Sequence, residues 1–197
     1  MKFDELNQLK QYFGEMELSE EELEKRVSLG KLFYDALSYV LALMWADALL
    51  NEELDRDFYI NSLMGRLTEA VEVSGLSYEE PSLHRLVESV VDTTIEHYSE
   101  EEYFDDERAL QIAENGSNSV NNYNEYEEAK RSGKKFKYWR TIVDPNTRFE
   151  HLLMDNVQVP FETPFEVGID FMRYPHDDDP DIHLENIINC RCKCFYF

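Results

Sequence analysis

Three cysteines crowd the last eight residues, at Cys190, Cys192 and Cys194, while a single imidazole, His151, stands in a short polar segment upstream. Thiolate sulfur and imidazole nitrogen are ligands that zinc favours, and four of them complete a tetrahedral shell. Residues two apart on a strand share a face, so C-x-C-x-C turns three thiols one way and Arg191 and Lys193 the other. His151, Cys190, Cys192 and Cys194 are therefore the candidate ligands of a structural zinc, with Asp144 a weaker choice for the fourth place. The spacing is tight and needs a bend before all three thiols meet one ion. A disulfide within or between chains and ordinary reduced, buried thiols remain the alternatives. Cysteines confined to one tail argue against a distributed disulfide framework and fit a reducing compartment.

The segment around His151 is WRTIVDPNTRFEHLLMDN, residues 139–156. Trp139, Ile142 and Val143 predict a strand that breaks at Asp144, which is placed to cap a helix beginning at Pro145. Arg148, His151 and Asp155 then follow at spacings of four, three and four from Asp144, which would gather them on one helical face. On that reading Arg148 clamps Asp144 or Asp155, and His151 fastens the helix to the terminal strand. A second reading is catalytic: His151 as a base near neutral pH and Arg148 as a phosphate holder would suit a small nuclease or another phosphoryl-transfer enzyme, including a toxin-related one. Against it, the chain has no glycine-rich phosphate loop and no evident nucleophile paired with a base, so the sequence favours a structural or assembly protein.

The order D-P-N-T-R-F-E-H from Asp144 to His151, then Asp155-Asn156, Phe165 through Tyr174-Pro175, and Asn189-Cys190-Arg191-Cys192, resembles the Mu F-like head-morphogenesis domain of tailed phages. The resemblance covers roughly residues 109–194 and marks Asp144, Thr147, Arg148, His151, Asp155, Asn189, Cys190, Arg191 and Cys192 as its structural motif. It implies a minor head protein acting in procapsid assembly through portal, major capsid or scaffolding contacts, with a role in DNA delivery. It also implies residence in the host cytoplasm during assembly and then in the procapsid or virion. Two positions depart from the family pattern. Ala113-Glu114-Asn115-Gly116 stands where A-R-T-E is common, and Asn156 where glycine is common; asparagine tolerates the left-handed region, so the second change is mild.

The elements that must position these residues are predicted as an acidic helical module over residues 1–108 and a small mixed domain over 109–197, an α+β chain with short antiparallel strands in its second part. A short amphipathic segment carries Phe3, Leu6, Leu9 and Phe13. Ser19 and Glu22 form a capping box before a long helix striped by Leu23, Val27, Phe33, Leu37, Leu41 and Met44. Helices over 55–73, 81–98 and 110–130 follow, the last ended by Gly133. The run 100–107 holds six carboxylates in eight residues and marks a boundary. Beyond His151 the helical period is lost, and Phe161 to Tyr174 reads as short strands; His176 to Pro180 reads as an exposed loop.

Charge divides unevenly. Residues 1–110 carry 9 basic and 27 acidic side chains, net −18, against 10 and 15, net −5, for 111–197, within a total of −23. Nucleic-acid binding draws on positive charge to release counterions, so no specific nucleic acid is expected. Lys134, Lys135 and Lys137 make the one concentrated basic patch and fit a helix end or edge strand. The apolar run 39–46 is interrupted by Asp47, too short to span a bilayer, and no membrane partner is expected.

Overall fold

The computed structural model describes residues 3–50, 53–78, 80–177 and 179–197. It is an α+β chain: long helices first, then short antiparallel strands. The helices are α1 (Phe3–Gly14), α2 (Glu20–Leu49), α3 (Arg56–Val73), α4 (Glu80–Glu96), α5 (Asp106–Arg131) and α6 (Phe149–Met154). The strands are β1 (Phe136–Arg140), β2 (Gln158–Pro160), β3 (Phe165–Val167), β4 (Asp170–Met172) and β5 (Lys193–Tyr196). Ser19 and Glu22 do close a capping box on α2, and Asp55 caps α3.

α2 is long and apolar enough, by length and composition, to cross a membrane. Here its apolar face forms the centre of the first core instead. Phe33, Leu37, Val40, Leu41 and Met44 are buried against Leu63 and Leu67 of α3, Val87 and Val91 of α4, and Leu110 and Ala113 of α5. The acidic run at 100–107 is not a linker: residues Glu101–Phe104 form a 3-10 turn, Phe104 is buried beside Trp45, and Asp105 caps α5 by accepting from the Arg108 amide at 2.8 Å. Its carboxylates face solvent while its one large apolar side chain points inward, which removes the repulsion that suggested a break.

α5 belongs to both halves. Its first turns lie in the helical core, whereas Tyr126 and Ala129 join a second core with Trp139, Phe161, Phe165, Val167, Met172 and Tyr174. The 108/109 division thus falls at the start of a helix that both cores share. The second core is covered by a three-stranded antiparallel sheet ordered β2-β1-β5, with Trp139 opposite Cys194 and Arg140 opposite Lys193, and by the β3-β4 hairpin. Gly133, at φ 68°, ends α5, and Asn156, at φ 61°, turns the chain from α6 into β2.

Four local expectations are corrected. The helix predicted from Pro145 is only six residues long and starts at Phe149. Asp144 caps a turn instead, its Oδ1 accepting from the Asn146 amide at 2.8 Å and its own amide donating to Thr147 Oγ1 at 3.2 Å. Arg148 therefore precedes the helix in extended conformation, so it does not share a helical face with Asp144 and Asp155. The segment from His176 is exposed only in its second part, at Asp179 and Pro180: His176 and Asp177 are buried, and Asp177 takes the Arg173 guanidinium and backbone amide. Asp178 lies outside the described residues. The tail is not one strand, since β5 begins at Lys193 and leaves Cys190 and Cys192 in the irregular approach to it. Lys137, finally, is no surface lysine. It is buried with its Nζ donating to the Arg173 carbonyl at 2.6 Å, near the rings of Tyr126, Phe161 and Phe165, and burial pulls its pKa down to about 8.

Candidate metal centre

His151 projects from α6 into the seam between that helix and the tail. Its Nδ1 is 3.5 Å from Cys190 Sγ and 3.4 Å from Cys192 Sγ, and all three residues are buried. The tautomer follows from its neighbours. Asn186 Nδ2 donates to the Asp170 carboxylate at 2.7 Å and to the Val167 carbonyl at 3.3 Å, so its Oδ1 is the atom facing His151 Nε2, at 3.3 Å. An acceptor there requires Nε2 to carry the proton, which leaves the Nδ1 lone pair directed at the two sulfurs. This is how a ligating histidine is held when its other nitrogen is oriented by a hydrogen bond.

The separations suit a metal ion. Zinc bonds of about 2.3 Å to sulfur and about 2.0 Å to nitrogen, at tetrahedral angles, set a sulfur–nitrogen edge of roughly 3.5 Å. The buried His151, Cys190 and Cys192 cluster can hold such an ion, and it is the one such group among the described residues. Burial pushes the Cys190 thiol well up, and the Cys192 thiol beside it adds to that. At Cys192 burial acts in the same upward sense, but the surroundings of Cys190, His151 and Thr141 outweigh it and pull its pKa down. Two cysteine sulfurs converging on an imidazole nitrogen are a ligand set that gives up thiol protons on taking a cation.

Cys194 is not part of the cluster. It sits in β5 opposite Trp139, its neighbours are Lys137 and Tyr196, and burial raises its pKa. Only Cys194 lies within β5, so the strand alternation that would have aligned three thiols does not extend back to Cys190 and Cys192. Asp144 is also committed elsewhere, its second carboxylate oxygen pairing with the Arg191 guanidinium.

The remaining motif residues brace this centre. Arg191 also reaches Glu15, just past the end of α1, joining the tail to both the Asp144 turn and the helical module. Arg148 does not clamp a carboxylate; its guanidinium donates to the Ile188 carbonyl at 2.5 Å, holding the segment just before Cys190. Asp155 accepts from the Thr141 amide at 3.0 Å and pairs with Arg140 at 3.2 Å. Thr147 donates to the Ile142 carbonyl at 2.6 Å. The Asn189 backbone, at φ 55°, donates its amide to Asn115 Oδ1 at 2.7 Å, so Asn115 is tied to the motif although the sequence there departs from the family pattern.

Several supporting residues carried no motif signal. Thr141 links Trp139 Nε1, the His151 carbonyl and Cys192 Sγ at 3.0, 2.8 and 3.5 Å, and the Trp139 ring meets His151 edge-on. The carbonyl of Cys190 accepts from Tyr12 Oη and Asn118 Nδ2, each at 3.2 Å, and from His176 Nε2 at 2.6 Å; that of Cys192 accepts from Asn122 Nδ2 at 3.2 Å. Arg26, fully buried on α2, binds the Asn118 and Asn122 oxygens and Glu125. Asn115, Asn118 and Asn122 recur at spacings of three and four in α5. Poor helix formers on one face were the available signal for a buried polar contact.

No family model, curated protein or solved structure matches the chain. The fold and site together define a helical module joined through a shared helix to a small α+β unit whose centre can hold a metal ion.

Proposed function

We propose that this chain is a minor head protein of a tailed phage, working in procapsid assembly through portal or capsid contacts. The observation that carries the reading is the convergence of the motif residues. Asp144 meets Arg191 across 47 positions, Arg148 holds Ile188, and His151 faces Cys190 and Cys192. The stretches that resemble the Mu F-like domain thus brace one another, as expected if they are parts of a single scaffold. Host-cytoplasmic synthesis followed by a place in the procapsid or virion belongs to the same reading. The acidic helical module, net −18 over residues 1–110, suits steering toward a basic protein surface.

The metal is zinc in this proposal, and its role is to close the second core by tying α6 to the tail. His151, Cys190 and Cys192 would hold it. A catalytic role for His151 and Arg148 finds less support: His151 is buried with both ring nitrogens engaged, and the Arg148 guanidinium is occupied by a backbone carbonyl. The test is co-sedimentation. Full-length protein, produced alongside the portal and capsid genes of the same genome, should travel with procapsids on a gradient, and its deletion should lower the yield of filled heads. Absence from procapsids together with normal heads in the deletion would overturn the assignment.

A further inference from the structure

The outer surface of the C-terminal unit carries large apolar side chains that neither core takes up. Phe149 and Leu153, four residues apart, share the outward face of α6, away from the buried His151. Ile169 stands in the turn of the β3-β4 hairpin, and Phe171 lies on that hairpin's outer face opposite Glu166. Leu184 and Ile188 flank the segment that carries Asn186. All six are between 47 and 77 % exposed. Single apolar residues scattered over a surface are ordinary, whereas a cluster of them marks a contact.

Short contacts hold the three elements side by side. Glu150 of α6 lies over the hairpin turn, its Cγ 3.1 Å from where a Cβ on Gly168 would stand. His183 Nδ1 and Asn186 Nδ2 each reach the Asp170 carboxylate of β4 at 2.7 Å, and Arg148 donates to the Ile188 carbonyl. The helix has six residues and each hairpin strand three, so each element is only about 10 Å long and their outward side chains stay within one interface footprint. At these exposures each side chain contributes on the order of 100 Å², so together they supply most of the roughly 800 Å² that one partner buries in a standard interface.

Charge selects the occupant. Glu150, Glu166 and Glu185 are exposed among the apolar residues. The cations beside them are engaged, Arg148 with the Ile188 carbonyl, Arg173 with Asp177 and His183 with Asp170. A second copy meeting this face about a two-fold axis would set the carboxylates of one chain against those of the other, with −23 on each chain besides. The complement is an apolar centre with a basic rim.

We infer that this face docks a different protein, through a surface whose centre is apolar and whose rim carries lysines or arginines. The inference rests on the assembly reading in one respect, that the chain acts through protein contacts.

The test uses full-length protein labelled for NMR and three synthetic helical peptides. One has leucines along one face and lysines elsewhere, one has the same residues scrambled, and one has glutamates in place of the lysines. The first should bind saturably and shift the amides of Leu153, Ile169 and Phe171. The scrambled peptide keeps the charge but loses the apolar stripe, so it should bind about tenfold more weakly, and the glutamate peptide should not bind. Leu153→Ser and Phe171→Ser, both at exposed positions, should each weaken the first peptide about tenfold while keeping the circular dichroism of the parent; Leu50→Ser, exposed on the helical module, should not weaken it. No saturable binding of the first peptide, equal affinity for the scrambled one, or shifts confined to the acidic helices would overturn the inference. A dimer of the protein alone that Leu153→Ser dissociates would also sink it, since the occupant would then be a second copy. If the inference falls while the protein still travels with procapsids, the assembly reading stands; if the first peptide binds at this face but procapsids lack the protein, the phage reading falls and the face stands.

Discussion

His151 Nδ1 lies 3.4 Å from Cys192 Sγ although 41 residues separate them, and the contact holds because Asn186 fixes the imidazole from its other side. Protein purified without a histidine tag and without added metal should carry close to one zinc per chain by elemental analysis. Cys192→Ser should lose it, whereas Cys194→Ser should retain it. A chelator should lower the melting temperature of the parent by several degrees, since about 1 kcal/mol corresponds to roughly 2–4 °C in a chain of this size. The Cys192→Ser protein should not respond.

Asp144 and Arg191 form a partly buried ion pair, and Asp144 also closes its own turn. Asp144→Asn keeps an oxygen for the turn but loses the charge, so it should cost about 1 kcal/mol in urea unfolding. Arg191→Lys should also destabilise, because an ammonium cannot serve Glu15 and Asp144 with a planar fork. A double-mutant cycle that returns no coupling would remove the pair from the list of stabilising contacts.

Arg26 is buried among Asn118, Asn122 and Glu125, which in turn hold the tail. Arg26→Ala should cost about 3–5 kcal/mol, the usual result of breaking a buried charged network from one side. By the same logic a fragment of residues 109–197 should lack cooperative unfolding, since α5 would expose Leu110, Ala113 and Val120. A sharp calorimetric transition in that fragment would show that the C-terminal unit is autonomous.

The Asp170–His183 contact should leave a signature in pH. Burial works to raise the Asp170 pKa, but hydrogen bonds from His183 and Asn186 prevail and lower it; the same carboxylate raises that of His183. A depressed carboxylate stabilises above its unfolded value near 4 and loses that contribution as pH falls through its folded value. A raised imidazole stabilises below its unfolded value near 6.5 and loses its contribution as pH rises through its folded value. The pair therefore contributes most between about pH 4 and pH 6.5. Asp170→Asn should flatten the stability profile in that window, and an unchanged profile would exclude the contribution.

What the sequence by itself determined is local or periodic. The capping box, the apolar stripe of α2, the stops at Gly133 and Asn156 and the hairpin-forming alternation after Phe161 each depend on neighbours within a turn or two. So does the identity of His151, Cys190 and Cys192 as chemically compatible residues. Tertiary structure decided the rest. The start of β5 at Lys193 separated Cys194 from the other two thiols, the turn at Asp144 stopped a helix that propensity favoured, and the exposed reading of His176 and Lys137 failed because the second core closes over them. Arg26, Asn118, Asn122 and Asn186 acquire their roles only when α2, α5 and the tail meet. Polar side chains on a helix read as solvated until another element covers them, and covering is settled by packing across the whole chain rather than by spacing within it.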